Sequence, residues 1–330
     1  MPARLRSVSV LAALAVVLVL PGSAAPKKTK MHTPKLEDHF AEVNGVRLHY
    51  VSAGKGPLIL FLHGFPQFWY EWKGQLTEFG KDHLAVAPDM RGYNLSSKPS
   101  DVDQYQMKYL IEDVHALAAH LGHKKFTLVA HDWGGAVAWS YAMAYPETLD
   151  KLIIVNAPHP GVFARLLAND PAQQNASQYM LMFRSPQAEQ GLSANNYAML
   201  VNIVLASGLQ AGTFTPKDKQ AYLDAWSQPG ALTGGLNYYR AAKVGPPAAS
   251  PDGPKEASGS FGADPARLTV NVPTLVIWGE KDTALLTSNL DGLDQFVPKL
   301  TIKRIPDGTH WVIHEKPAEI NAAIHEFLVN

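Results

Sequence analysis

The sequence predicts an α/β protein built on a mostly parallel, doubly wound sheet with a helical cap inserted into it. Short apolar runs without alternation recur at 57–62, 83–87, 125–130, 151–155 and 272–278, with a weaker run at 300–305. Such runs are the pattern of strands buried on both faces. Helical patterns lie between them, clearest in Leu110, Ile111, Val114, Leu117, Ala118 and Leu121, whose spacing gathers the apolar groups into one stripe. From about Pro158 to Leu268 the strand pattern stops, and Met-, Tyr- and Ala-rich helical segments replace it. Alternating strand and helix gives a parallel sheet whose ligand site lies at the C-terminal strand ends. An insertion between two core strands is placed to cover those ends.

At the N-terminus, Arg4 and Arg6 precede an apolar run from Val8 to Leu20, which Pro21 and Gly22 close before the small residues Ser23, Ala24 and Ala25. This is the layout of an export signal, expected at 1–25 with cleavage near Ala24 or Ala25 and a periplasmic or secreted product. The run is shorter than the roughly 20 apolar residues of a membrane span, so no stable span is expected; an uncleaved anchor is the alternative fate of the same segment. Residues 40–54 then alternate apolar and polar around Asn44-Gly45, a dipeptide suited to the positive φ angles of a tight hairpin turn. An antiparallel pair should therefore open the sheet. The core is expected at 33–157 and 269–330, with the cap at 158–268. The stretch Val244 to Gly262, crowded with Pro, Ala, Ser and Gly, reads as a flexible return loop.

The 330 residues carry 29 basic and 29 acidic side chains with no run of like charge. Nothing concentrates a polyanion, and nucleic-acid binding is not expected. The chain has no cysteine, which excludes disulfides, thiolate metal sites and a cysteine nucleophile.

The chemistry centres on Phe126 to Ala130, an apolar strand that runs into His131-Asp132-Trp133-Gly134-Gly135 and then a helix expected over Ala136 to Tyr145, with Pro146 beyond it. A nucleophile on so sharp a turn needs small neighbours two positions away on each side, and Ala130 and Gly134 supply them. Serine is the commoner occupant of such an elbow. A carboxylate in its place is already ionised at neutral pH and attacks without a base, which suits displacement at saturated carbon. The ordinary alternative is that Asp132 caps the helix that follows.

His63-Gly64-Phe65-Pro66, Asp89-Met90-Arg91-Gly92-Tyr93, His131-Asp132-Trp133-Gly134-Gly135 and the downstream histidine together resemble the epoxide hydrolase branch of the α/β-hydrolase superfamily, over nearly all of 36–330. Asn94 departs from the glycine frequent at that position, but Asn tolerates left-handed φ. The resemblance implies an α/β-hydrolase fold with Asp132 as nucleophile and an oxyanion hole made by the backbone N–H groups of Phe65 and Trp133. It also implies a cis Phe65-Pro66 bond that aims the Phe65 amide. His63 and His131 are read as hydrogen-bonded loop anchors.

The acid partner is expected after the strand Thr274 to Trp278, in Gly279-Glu280-Lys281-Asp282, which selects Asp282 to orient the histidine; as a rival role Asp282 is a simple turn or helix cap. Asn156 occupies the other position where relatives carry the acid, and an amide has no charge to stabilise an imidazolium. The base comes last in the chain order of this fold, at His310, preceded by Thr309 where glycine is frequent. His314, one turn later, is read as a surface group. In the cap, Tyr179 and Tyr239 stand in segments similar to those that carry the epoxide-polarising tyrosines, and the Tyr-Arg ending selects Tyr239 over Tyr238.

The expected function is conversion of an epoxide to a vicinal diol through an ester on Asp132, hydrolysed by water that His310 activates. The partners are a small-molecule epoxide and water, with no metal or organic cofactor. A haloalkane dehalogenase shares the Asp nucleophile, but typically carries a polar residue after His-Gly and lacks the tyrosine pair. Fluoroacetate dehalogenases usually have Arg where Trp133 stands. A hydrolase-fold receptor that binds without turnover is the alternative of a different class.

Overall fold

A computed structural model of the chain describes residue 1 and residues 33–248, 258–261, 264 and 267–329. The expected export segment beyond Met1 lies outside the described residues, as does the centre of the stretch read as a return loop.

Among the described residues, eight strands form one sheet: β1 (Glu37–Val43), β2 (Val46–Ala53), β3 (Leu58–Leu62), β4 (Leu84–Pro88), β5 (Phe126–His131), β6 (Leu149–Val155), β7 (Thr274–Gly279) and β8 (Leu300–Ile305). Their order is β1-β2-β4-β3-β5-β6-β7-β8. The β1–β2 and β2–β4 pairs are antiparallel and every other pair is parallel. The hairpin turns on Asn44 and Gly45, at φ 47° and 73°, the two positive angles that a type I′ turn requires. Each apolar run of the sequence is a strand, shifted by two residues or fewer at either end.

Helices α1 (Lys73–Phe79), α2 (Met107–His120) and α3 (Asp132–Ala144) cover the sheet within the first half of the core. Among the described residues, seven α-helices stand between β6 and β7: α4 (Pro160–Asn169), α5 (Pro171–Ala176), α6 (Tyr179–Arg184), α7 (Ala188–Leu200), α8 (Ala206–Ala211), α9 (Pro216–Trp226) and α10 (Ala231–Ala242). The chain closes with α11 (Val312–Glu315) and α12 (Pro317–Val329). Side chains alternate across the strands to feed two cores. Ile59, Phe61, Val129, Ile153 and Ile277 pack with Leu76 and Phe79 of α1 and Ile320 and Ile324 of α12. Leu60, Leu62, Leu128, Ile154 and Val276 pack with Leu110, Val114 and Leu117 of α2 and Val137, Trp139 and Tyr141 of α3.

The helices between β6 and β7 are tied to the core by specific contacts. α9 begins with Pro216 at its first position and a capping box between Thr215 and Asp218, which satisfies the free N–H groups of its first turn. Trp226 at its end donates to the Pro66 carbonyl at 2.6 Å. α10 approaches the loop after β4 so closely that a Cβ on Gly234 would lie 2.2 Å from the Gly92 carbonyl oxygen. Tyr238 donates its hydroxyl to the Arg91 carbonyl at 2.9 Å. By length and composition the run Ala188–Ala211 is apolar enough to cross a membrane. It is not one straight rod, because Asn195, Asn196 and Tyr197 take φ of 51°, 55° and 61°, and the pieces on either side fall short of the roughly 20 residues a span needs.

β5 passes into α3 with no intervening loop: His131 is the last strand residue and Asp132 the first helical one. The helix thus starts four residues before the expected Ala136. Gly134 and Gly135, which lower helix propensity, are demanded here by packing. A Cβ on Gly134 would sit 2.4 Å from the Leu62 carbonyl oxygen and 2.6 Å from that of His63. Both obstacles are backbone, so Gly134→Ala should destabilise the fold by about 1–3 kcal/mol, seen as a lower urea midpoint at unchanged m-value. A midpoint equal to that of the parent would show that the helix and β3 are not packed this tightly.

Candidate active site

Asp132 takes φ +48°, in the left-handed region that costs a non-glycine residue about 1–2 kcal/mol. The turn lifts its carboxylate out of the sheet toward the loop after β3. There the Phe65 N–H donates to Asp132 Oδ1 at 2.8 Å, and the Phe65-Pro66 bond is cis. Gly64 makes room for this contact, since a Cβ on it would meet Asp132 Oδ1 at 2.6 Å. The Trp133 N–H lies in the first turn of α3, where backbone donors have no partner within the helix.

His310 lies between two carboxylates. Its Nδ1 is 2.7 Å from Asp282 Oδ2, and its Nε2 is 3.6 Å from Asp132 Oδ2, an ion-pair distance beyond direct hydrogen bonding. Asp282 also accepts from the Ala284 and Leu285 amides at 2.8 and 2.9 Å through Oδ1. Its Oδ2 takes a further bond at 2.8 Å from Asn156 Nδ2, while Asn156 Oδ1 accepts from Gly279 N at 2.8 Å. Asn156 therefore has a task that its residue type alone did not disclose: it ties the end of β6 to the acid and to the end of β7.

Burial alone would push the His310 imidazole down. The charge of Asp282 and the contacts with Asp132 override it and push the group up to about 10. Burial likewise raises Asp132, but the contact and charge of His310, helped by His131 and the Phe65 amide, hold it below the ordinary carboxylate range. Asp282 is held low against burial by the His310 charge and hydrogen bond and by its amide donors. The resting site is thus an imidazolium flanked by two carboxylates.

Tyr179 and Tyr239 face this group from α6 and α10, with ring centroids 6.5 Å apart. Both hydroxyls are raised well above 10, by burial first and then by the Asp132 charge, and so keep their protons as donors. Tyr239 stacks edge-on against Trp133 at 5.0 Å and Phe65 at 5.5 Å. Tyr238 turns away to the Arg91 carbonyl. Asp132, Trp133, Tyr179, Met180, Tyr239, Phe261 and Leu285 are among the residues around a cavity of about 10 Å³, roughly the room of one water molecule. Among the described residues, no group of three or more His, Asp or Glu could hold a metal ion.

Residues 57–317 match the family model of the alpha/beta hydrolase fold. Mouse epoxide hydrolase 4 is 36% identical over 296 residues, covering 86% of this chain and 77% of that protein. The crystal structure of the Bacillus megaterium epoxide hydrolase in complex with an inhibitor superposes with a TM-score of 0.82 at 38% identity, covering 88% of this chain and all of that one. The chain belongs to the epoxide hydrolase branch of the α/β-hydrolase superfamily. The AB hydrolase superfamily protein YfhM of Bacillus subtilis is also similar, 39% identical over 295 residues, 88% of this chain and 97% of that protein.

Other motif residues of this α/β-hydrolase brace the site. Arg91 grips Asp113 of α2 through two bonds of 2.5 Å. Asp89 takes His49 Nδ1 at 2.7 Å, Asn94 Nδ2 at 2.8 Å and the Trp69 amide at 3.1 Å, and Asn94 adopts the left-handed φ of 38°. His63 accepts from the Met90 amide at 3.0 Å and anchors its loop. Thr309 is fixed by Glu315, which accepts from both its amide and its hydroxyl at 2.8 Å. His314 is not a surface group. It is packed against Phe214 with ring centroids 4.7 Å apart and lies 2.6 Å from the Gln67 side chain, and burial lowers its pKa to about 4.

The raised His310 stabilises the folded chain fully below its ordinary 6.5, and that contribution fades as pH rises through about 10. Neutralising one flanking carboxylate should lower the upper limit. Asp132→Asn should shift the His310 ring titration, followed by NMR, downward by at least one unit. An unmoved titration would mean that His310 does not sense the Asp132 charge.

Proposed function

We propose that the protein hydrolyses epoxides to vicinal diols in two half-reactions through an ester on Asp132. The observation that carries this reading is the placement of an ionised elbow carboxylate, one oxygen held by the Phe65 amide, across a cavity from two protonated tyrosine hydroxyls. A serine elbow would attack carbonyl carbon; a carboxylate facing hydroxyl donors suits a strained ring whose oxygen must leave.

In the first half-reaction Asp132 Oδ2 forms a bond to a ring carbon while the carbon–oxygen bond of the epoxide breaks. Its electrons go to the oxygen, which takes a proton from the tyrosine pair. Ester formation removes the Asp132 charge and with it two of the influences that raise His310, so the histidine releases its proton, which restores the tyrosinate left by ring opening, and becomes a base at the moment one is needed. In the second half-reaction His310 takes a proton from water, whose oxygen attacks Cγ of the ester. The developing oxyanion on Oδ1 already sits on the Phe65 N–H, with the Trp133 N–H as second donor. Collapse breaks the bond from Cγ to Oδ2, which leaves with the diol and takes the proton held by His310; the new carboxylic acid on Asp132 then gives its remaining proton to His310, and the resting carboxylate and imidazolium are restored.

With Tyr179→Phe/Tyr239→Phe the ring oxygen leaves without a donor, and kcat/KM for styrene oxide should fall by about 100-fold or more, the scale of removing acid catalysis. Circular dichroism should be unchanged. Turnover at the parental rate would remove both tyrosines from the mechanism, and faster halide release from a bromoalkane than diol formation would point to dehalogenation instead.

His310→Gln separates the half-reactions. It should still be alkylated but hydrolyse the ester slowly, so that intact-mass spectrometry with styrene oxide shows one added substrate mass, mapped to Asp132. A variant that stays unmodified while the parent turns over would make Asp132 a general base rather than a nucleophile.

A further inference from the structure

Glu71 lies in the short 3-10 turn Trp69–Trp72, and its side chain is fully buried together with that of His131. A buried carboxylate survives only with partners, and Glu71 has three. Its Oε1 is 2.6 Å from His131 Nδ1. Its Oε2 accepts from Gly64 N at 3.2 Å. The Gln67 amide, oriented so that its oxygen accepts from His314, donates to Oε1 at 2.7 Å.

The second nitrogen of His131 settles where the protons are. Nε2 lies 2.9 Å from the backbone carbonyl of His310; a carbonyl has no proton to give, so Nε2 carries one and donates. A carboxylate oxygen at 2.6 Å from Nδ1 requires a second proton between those two atoms. The Glu71–His131 pair is then neutral as a whole wherever that proton rests, which is how it tolerates full burial. Its ends reach two places that matter. One is the amide of Gly64, next to the oxyanion donor Phe65. The other is the backbone of the base itself, with the His131 and His310 rings 4.8 Å apart.

We propose that Glu71 is a positioning residue for the hydrolytic half-reaction. Through His131 it holds the His310 backbone so that Nε2 faces the ester, and through Gly64 it steadies the loop that presents the Phe65 N–H. The inference rests on the reading that His310 acts only after alkylation. Ring opening uses Asp132 Oδ2 and two hydroxyls from the cap, none of which Glu71 touches, whereas ester hydrolysis uses both groups that it supports.

The test is a single-turnover measurement with styrene oxide, following ester formation and decay by quenched-flow intact-mass spectrometry. In Glu71→Leu, which keeps the volume but removes every acceptor, ester decay should slow by about tenfold or more, the rate equivalent of one buried hydrogen bond left unmade. Ester formation should stay within about twofold, so the alkylated fraction at steady state rises. Glu71→Gln retains part of the bonding and should fall between Glu71→Leu and the parent. A variant that slows both half-reactions alike, or leaves decay unchanged, overturns the proposal, since a purely structural role would not change their ratio. Should Glu71→Leu not fold, Glu71→Gln with the same readout decides, together with ring-nitrogen NMR of the parent: His131 Nε2 found without a proton overturns the proposal as well. His310→Gln in the same series keeps the two claims apart. If it accumulates no ester, the mechanism falls; if it does and the Glu71 variants do not, only the role of Glu71 falls.

Discussion

The passage from β5 to α3 holds Asp132 at φ +48°, and the other parts of the site are arranged around that one residue. A strand that ended in a loop would leave its last side chain free to wander. Here the helix starts at once and is pressed against β3 with glycine at the contact, so the carboxylate direction is set by the backbone rather than by a rotamer. The local strain is small beside the packing that enforces it, from Leu62, His63 and Ala157 around Gly134 and Gly135. Because the direction is fixed, one carboxylate oxygen can rest on the Phe65 amide while the other remains free for chemistry.

Charge balance follows from that geometry. Two carboxylates flank one imidazole in a mostly buried site, which favours the protonated ring while both are ionised. Such a ring is a poor base at neutral pH. In the proposed mechanism an ester on Asp132 would reverse this, so the electrostatics would order the two half-reactions: the nucleophile is ready first and the base becomes ready as a result. A second acid–histidine pair, Glu71 and His131, lies directly behind the first. It is fully buried and neutral as a pair, and so supports the backbone without adding net charge to the site.

The helices between β6 and β7 contribute two hydroxyls to the site. Tyr179 and Tyr239 are held by aromatic contacts with Phe183, Phe65 and Trp133. Tyr238, one residue away, spends its hydroxyl on the Arg91 carbonyl and fastens α10 to the core. Adjacent residues of one helix point roughly 100° apart, which is why two neighbouring tyrosines have such different tasks.

The strand runs, the alternation of strand and helix, the hairpin at Asn44-Gly45 and the strand-turn-helix around Asp132 were all legible in the sequence. They are local: burial on two faces, positive φ and close packing each restrict the residue types at a position, and the restriction can be read back. The motif residues also pointed to Asp282 and His310, and the structure brings both to Asp132. What the sequence left open depends on contacts between residues far apart in the chain, which leave no period to read. Asn156 looked like a lost acid and is the brace of Asp282 across 126 positions. His314 looked exposed because its helix is short and lies near the end of the chain, yet it is packed against Gln67, some 247 positions earlier. Glu71 gave no sign of its burial, since a glutamate is usually a solvated group, and its partners Gly64, Gln67 and His131 are brought to it only by the fold. The sequence by itself determined which residues meet at the strand ends; the tertiary structure decided their protonation, because that is set by burial and by neighbours that only folding supplies.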